Sequence, residues 1–360
     1  MELIELTNSY PEELVKLGYE TLERISKSPF PPQRLIDIEE SDGYYNLELE
    51  DGFLYKQTTP IMLHLSGNIK PVFGVDTSSI DLGETANGIL FAVRGSIVWR
   101  DHGVYQYVRH GPFIFHISEK DRRHLFKLLR KEYLNDMSRI TAPSLEWISG
   151  SFRSILERWL QRQVAESCEN CLLLWDGSMT AVAVFNPTSF LSKMLKMARE
   201  NGNYILAFSK KTKLLVSGSR VNNLIRDSWV PCLVNIDSEI RKQYGNRLRF
   251  LGRVYAAKFE PGLLTFRVDI DRKIPEDEGV KAVESLINSD KVNDSYPETL
   301  RLAHVLSRFS ASEVLAMQRY VAENHGLRIV SRFGVRQILF GPYGGRSDFS
   351  EVIGQIDGRL

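Results

Sequence analysis

The chain has 360 residues, 43% of them apolar and 25% charged, with a formal net charge of +1. That composition is ordinary for a globular protein and supports one large domain or two modest ones. Three cysteines exclude a disulfide scaffold, the apolar runs are too short for a membrane span, and the N-terminus lacks the basic and apolar regions of a leader, so a cytoplasmic protein is expected.

The small net charge hides an asymmetry. Residues 1–60 carry thirteen acids and five bases, a balance of −8, which leaves +9 on the rest. A basic body with an acidic N-terminal arm is compatible with a nucleic-acid partner.

Residues 9–27 read as an amphipathic helix. Pro11 suits its first position, Glu12 and Glu13 its first turn, and Val15, Tyr19, Leu22 and Ile25 form one face. Pro29, Pro31 and Pro32 stop it, and an acidic stretch with short apolar pieces runs to residue 69. Residues 1–70 are therefore expected to be an appendage, packed on the body or on a partner, and residues 71–360 the main domain.

From residue 71 the pattern turns to strands. Val72–Asp76 is a short apolar run ending on a carboxylate, followed by Thr77 and Ser78. An acid at the tip of a buried strand is costly unless something charged meets it. Ile89–Val93 and Ser96–Trp99 bracket Arg94-Gly95, a possible hairpin turn, and Val104–Val108 and Phe113–Ile117 are split by Gly111-Pro112. Ser118 with Asp121 three residues on marks a helix start. Lys120, Arg122, Arg123, Lys127, Arg130 and Lys131 are expected on its exposed side, as a solvated face or a phosphate-facing patch.

A helix over about 150–167 has an apolar stripe of Phe152, Ile155, Leu156, Trp159, Leu160 and Val164, with Glu157 at its margin. Two readings fit that position: a carboxylate reaching inward to a metal, and a surface glutamate paired with Arg153 or Arg158. The next strand, Cys171–Trp175, is continuously apolar, as a strand buried on both faces should be, and ends on Asp176-Gly177-Ser178. Cys168 and Cys171 have no second pair or nearby histidine and read as packed thiols rather than zinc ligands.

A helix begins at Thr188 or Ser189 and closes at Gly202. Its strand, Tyr204–Phe208, delivers Ser209-Lys210-Lys211, where lysines could neutralise a phosphate or be ordinary loop charges. Residues 241–258 hold six bases and no acid. Gly252–Phe259 and Leu263–Ile270 flank a Pro261-Gly262 turn, with Lys258 and Arg267 projecting. Ser295-Tyr296-Pro297-Glu298 opens a helix whose Leu300, Ala303, His304 and Ser307 share a side, and Tyr296 and His304, eight apart, lie on roughly one face. His304 is readable as a structural residue or as a ligand. A last helix, about 311–324, starts at Ser310 or Ser312 and closes at Gly326. The tail then holds apolar pieces at Val330–Phe333 and Gln337–Phe340 and a glycine-rich stretch, Gly341–Gly345.

Two strand-end acids with a carboxylate-bearing helix between them suggest a divalent-metal site on a ribonuclease-H-like α/β fold, a mixed sheet flanked by helices with an N-terminal appendage. This order of elements resembles the NurA nuclease family. The Leu-Leu-Leu-x-Asp-Gly-Ser segment at 172–178 and the Tyr-Pro-x(6)-His spacing of Tyr296, Pro297 and His304 are the most specific parts, and the likeness runs from about 70 to 325. The resemblance implies a manganese-dependent DNA nuclease, with magnesium as a second candidate ion. Such an enzyme acts as a homodimer beside a HerA-type hexameric ATPase translocase, at DNA ends resected for repair, in archaea and some bacteria. It would be a 5′–3′ exonuclease on single- and double-stranded DNA and a single-strand endonuclease. By resemblance Asp76, Glu157, Asp176 and His304 are the metal-binding residues, Tyr296 completes the catalytic set and Lys210 lies nearby. Thr77 follows Asp76 where family members often carry a smaller residue, and Trp175 precedes Asp176 where an aliphatic is usual.

The residue types suit that chemistry. Hard divalent cations favour carboxylate oxygens, and an imidazole adds a ligand compatible with manganese. No Gly-x-x-x-x-Gly-Lys-Ser/Thr loop is present, so movement along DNA would need a separate motor. Two rivals are a non-catalytic DNA-binding or motor-regulating subunit with the same fold, and an unrelated ribonuclease-H-like recombination enzyme. The second requires the Tyr296/His304 helix to lie far from the acids.

Overall fold

The computed structural model describes residues 10–26, 34–36, 59–65, 68–136, 140–181, 187–210, 214–216, 219–221, 224–225, 228–245, 248–262 and 264–330. The chain builds a mixed sheet with helices on both faces. Helix α1 is Glu12–Ser26, followed by strands β1 (Val72–Thr85), β2 (Gly88–Asp101) and β3 (Val104–Ser118). Helices α2 (Glu119–Leu134) and α3 (Leu145–Ser167) lead to β4 (Leu172–Asp176), and α4 (Thr188–Glu200) leads to β5 (Tyr204–Ser209). Then come β6 (Cys232–Asn235), α5 (Asp237–Tyr244), β7 (Gly252–Lys258), β8 (Phe266–Asp271), α6 (Glu276–Ser289), α7 (Glu298–Ser307) and α8 (Ala311–His325).

The β1–β2–β3 meander is antiparallel, and β4 and β5 join β1 in parallel through α3 and α4, which is the ribonuclease-H-like arrangement. Beyond β5 the sheet continues antiparallel as β8, β7 and β6. The short strand Arg34–Ile36 pairs beside the far end of β1, and Ile61–Met62 beside β6, so the described parts of residues 1–70 reach both sides of the sheet. Arg328–Val330 runs parallel to Arg34–Ile36.

Strand alternation sorts β1 and β4 onto two faces. Phe73, Val75, Leu173 and Trp175 point into a core with α2, α3 and α4. Val72, Leu172 and Leu174 point into a core with α6 and Leu300 of α7. Leu14 and Leu17 of α1 join the first core, and Leu22 and Ile25 pack with Met317 and Val321 of α8. No helix among the described residues is long and apolar enough to cross a membrane.

Several sequence expectations need correction. Arg94-Gly95 is not a hairpin turn and Gly111-Pro112 does not end a strand. β2 and β3 run through both, and the two irregular points face each other, where the register slips between Val93 and Gly95. Paired bulges use the same residue types as turns, so the two look alike in sequence. The real turn is His102-Gly103, with positive φ at both residues, as a tight hairpin demands. Arg122 and Arg130 are not on the exposed side of α2. Arg122 donates to the carbonyls of Ala142 and Pro143, and Arg130 is buried against Asp136. Lys258 and Arg267 are likewise buried, with Arg267 forked onto Asp269. α7 starts at Glu298 with Pro297 at its cap, and α4 has Pro187 rather than Thr188 or Ser189 at its cap. Ser118 and Ser310 do cap their helices, the second with a full Ser310/Glu313 capping box, and Gly326 closes α8 with φ 66°. Cys168 and Cys171 are buried free thiols. The apolar pieces after Val330 and the glycine-rich stretch at 341–345 lie outside the described residues.

Candidate metal centre

Asp76, expected at the tip of a short strand, lies within β1, which runs nine residues further to Thr85 because Thr77–Thr85 go on pairing with β2, whereas Asp176 does end β4. Both are at even positions and so on the α7 face of the sheet. Burial holds the Asp176 carboxyl above its ordinary range, although its bond to Lys210 pulls the other way. Lys210, just past β5, places Nζ 2.7 Å from Asp176 Oδ2.

His304 reaches the acids from α7. Its Nδ1 lies 2.7 Å from Asp76 Oδ2, and Ser307 Oγ lies 3.4 Å from the same oxygen. α7 can come this close because Gly74 is bare. A Cβ there would sit 3.0 Å from the Thr299 methyl and 3.2 Å from the Thr299 carbonyl oxygen. The end of α7 is then fixed by the sheet. Ser96 donates to the Ala303 carbonyl at 2.6 Å, and the final carbonyls, which have no partner within the helix, accept from Ser78 (Ser307) and Arg94 (Arg308, 3.0 Å). Asp290 Oδ2 accepts from the Thr299 amide at the other end.

Tyr296 lies against Phe208 and Phe266, under the Lys210 ammonium at 5.0 Å from its ring centroid. Its hydroxyl is buried and makes no hydrogen bond among the described residues. Burial, then the charges of Asp176 and Asp76, push its pKa far up, so the hydroxyl keeps its proton.

One ligand atom each from Asp76, Asp176 and His304 lies within 4.8 Å of the others. Two carboxylate oxygens and an imidazole nitrogen suit manganese or magnesium, and the unpartnered Tyr296 hydroxyl beside them is the kind of orphan that a water or phosphate oxygen satisfies.

No protein-family model matches the sequence, and no curated protein matches it. Among solved structures, the NurA nuclease from Sulfolobus solfataricus is similar at a TM-score of 0.51, with 15% identity over 73% of this chain and 86% of that one. The chain has the NurA fold. A second NurA structure (10% identity, 74% and 91% covered, TM-score 0.40) and an endonuclease V from Bacillus subtilis (16%, 73% and 89%, 0.35) are more distant in shape. At these identities the likeness is one of fold.

Within this NurA-like frame Glu157 stands apart from the three-residue cluster. It comes from α3, on the opposite face of the sheet, and the residue is 7% exposed. Burial raises its pKa, Arg158 and Arg153 draw it down, and the nearby charges of Asp76 and Asp176 raise it further. Oε2 lies 3.4 Å from Thr77 Oγ1 and 3.8 Å from Arg153, while Oε1 accepts from Gln161 at 3.2 Å and lies 3.8 Å from Arg158. Both expected readings of Glu157 describe part of this. It pairs with Arg153 and Arg158, yet it is buried beside the acids rather than on the surface. α3 approaches this closely because a Cβ on Gly95 would meet Leu160 at 2.3 Å.

The structure thus brings Asp76, Asp176, His304, Tyr296 and Lys210 to one face and Glu157 to the edge of the same site from the other. The helix with Tyr296 just before it and His304 on it is not far from the acids, so the unrelated recombination enzyme loses its stated condition. Gln161 and Ser307 were not named as site residues. Gln161 lies four residues after Glu157 and Ser307 three after His304, spacings that align side chains on a helix.

Proposed function

We propose that this protein is a metal-dependent deoxyribonuclease that hydrolyses phosphodiester bonds. The convergence of Asp76, Asp176 and His304 on a ribonuclease-H-like sheet is the observation that carries this reading. Asp76, Asp176 and His304 would hold the ion, manganese before magnesium, and Glu157 is a further carboxylate at the edge of the site. A divalent cation there supplies Lewis-acid polarisation of the phosphoryl group and neutralises charge during in-line displacement. Lys210, paired with Asp176 and over the Tyr296 ring, would place its positive charge beside a phosphate bound at the acids. Tyr296, kept protonated by burial and by the neighbouring acids, offers a hydrogen bond to an oxygen gaining negative charge. His304 is oriented by Asp76 through Nδ1, which leaves Nε2 for a ligand or a phosphate contact.

The finer picture belongs to the same proposal. The enzyme degrades single- and double-stranded DNA from the 5′ end, nicks single strands, and works in the cytoplasm as a homodimer with a HerA-type translocase during end resection. The absence of a phosphate-binding Gly-x-x-x-x-Gly-Lys-Ser/Thr loop agrees with a motor on another chain. In this reading residues 71–360 form the nuclease domain, and residues 1–70 are an appendage whose helix α1 lies on β3.

The test is cleavage of 5′- and 3′-labelled single- and double-stranded DNA with manganese, magnesium or chelator, on wild type and Asp176→Asn together. Metal-dependent cutting that the substitution removes is the expected result. DNA binding without cutting by either protein would overturn the enzyme reading in favour of a non-catalytic DNA-binding or motor-regulating subunit.

A further inference from the structure

We propose that Glu157 is a braced carboxylate, held from behind by Arg158, Gln161 and Trp175 as positioning residues, and that Arg153, its other cation, contacts a DNA phosphate. The proposal rests on the nuclease reading and adds residues that the metal cluster does not contain.

The brace lies on α3. Glu157 Oε1 accepts from Gln161 Nε2, Gln161 Oε1 accepts from Arg158 Nη1, and the loop is closed electrostatically by Arg158 Nη2, 3.8 Å from Glu157 Oε1. Arg158 and Gln161 are 7% and 1% exposed, too deep to reach a substrate. The Arg158 guanidinium is centred 5.4 Å from the Trp175 ring centroid, and that indole is itself buried. Thr77 faces the other carboxylate oxygen. Thr77 and Trp175 are the two residues that depart from the usual pattern beside the strand acids. Alternation turns both away from Asp76 and Asp176 and toward Glu157, so the departures build the socket of one residue. An aliphatic at 175 offers no π face, and a lysine at 158 cannot serve Gln161, Glu157 and an aromatic ring at once.

Arg153 differs from Arg158 in exposure. Its side chain is 39% accessible against 8%, while it still touches the Thr77 carbonyl at 3.4 Å and lies 3.8 Å from Glu157 Oε2. Two guanidiniums share one carboxylate, and the excess positive charge sits on the one open to solvent. A phosphodiester arriving at the acids across the strand completes that balance.

Two measurements test the two halves. Affinity for labelled single-stranded DNA is read in chelator, with Asp176→Asn alone and with Arg153→Ala added. Loss of Arg153 is expected to weaken binding about tenfold and to reduce the salt slope by about 0.7, one single-strand phosphate. Unchanged affinity and slope would overturn the phosphate contact. Turnover is then read for Arg158→Lys, Gln161→Ala, Trp175→Leu and Trp175→Phe, each checked for folding by circular dichroism. The brace predicts a kcat at least about tenfold lower with KM unchanged for the first three, and a smaller loss for Trp175→Phe. Wild-type kcat in folded Arg158→Lys and Gln161→Ala, or equal losses in binding and turnover, would overturn the brace. Gln161→Ala decides alone if Arg158→Lys does not fold. A wild type that binds DNA without cutting it overturns the nuclease reading and the brace together, while the Arg153 contact still stands or falls on its affinity.

Discussion

The two faces of the sheet treat their acids in opposite ways. On the α7 face, Asp76 and Asp176 hold partners that can be exchanged, a half-exposed histidine and a half-exposed lysine. On the α3 face, Glu157 is surrounded by Gln161, Arg158, Thr77 and Arg153, and Asp269 of β8 is forked by Arg267 at 2.6 Å twice and accepts the Met179 amide at 2.9 Å. Asp76 and Asp176 keep partners that a ligand could replace, Asp269 is satisfied by donors fixed in the core, and Glu157 stands between the two, fixed by built-in donors yet beside the other acids.

The largest effect that would break this comparison is on activity. Asp76→Asn or Asp176→Asn should lower DNA cleavage by at least about 10³-fold while circular dichroism shows the same fold. A substitution that unfolds the protein instead would make Asp76 a structural acid like Asp269. Asp269→Asn should do the reverse. Breaking a buried pair typically costs about 3–5 kcal/mol, so its denaturation midpoint should fall sharply while cleavage per folded molecule survives.

Tyr296→Phe removes the orphan hydroxyl and leaves the ring against Phe208 and Phe266. Cleavage should fall about tenfold to a hundredfold, with stability unchanged or slightly higher because an unsatisfied buried donor is gone. A stability loss would mean that the hydroxyl has a structural partner.

The smallest effect is a pH dependence in chelator. Burial raises the Asp176 carboxyl in the folded protein, so the folded state binds its proton at higher pH than the unfolded chain does. The stability this contributes is full below the unfolded carboxylate value of about 3.9. It is lost as pH rises through the folded value. Metal-free Asp176→Asn should therefore melt roughly a few degrees above wild type at pH 8, and the gap should close on acidification. A gap that widens toward low pH would reverse the sign.

Much of this contrast could be read from residue order. Val72–Val75 and Cys171–Trp175 are legible as buried strands from their continuous apolar runs, although only Asp176 ends its strand and Asp76 lies within one that runs on to Thr85. The Ser118 and Ser310 caps are visible as hydroxyls three residues before an acid. The tertiary partners were not visible. Arg122 and Arg130 look like surface cations because their partners, the Ala142 carbonyl and Asp136, lie beyond their helix, and Arg267 because only the docked Thr180 segment encloses the pair it makes with Asp269 on its own strand. Glu157 looked marginal on its helix because only the docked sheet, with Gly95 at the contact, closes over it. Arg94-Gly95 and Gly111-Pro112 mimic turns, and only their pairing across β2 and β3 shows a shared bulge.

The reach of α7 across the chain has a consequence for the time during which the protein is made. Asp76 and His304 are separated by 228 positions and meet at 2.7 Å. A ribosome therefore exposes both strand acids long before it exposes their histidine, and the helix that carries it is also the one whose carbonyls Ser78, Ser96 and Arg94 await. The Asp76, Asp176 and His304 cluster is completed only once that helix has emerged, so a nascent chain stalled before it carries the acids without their histidine.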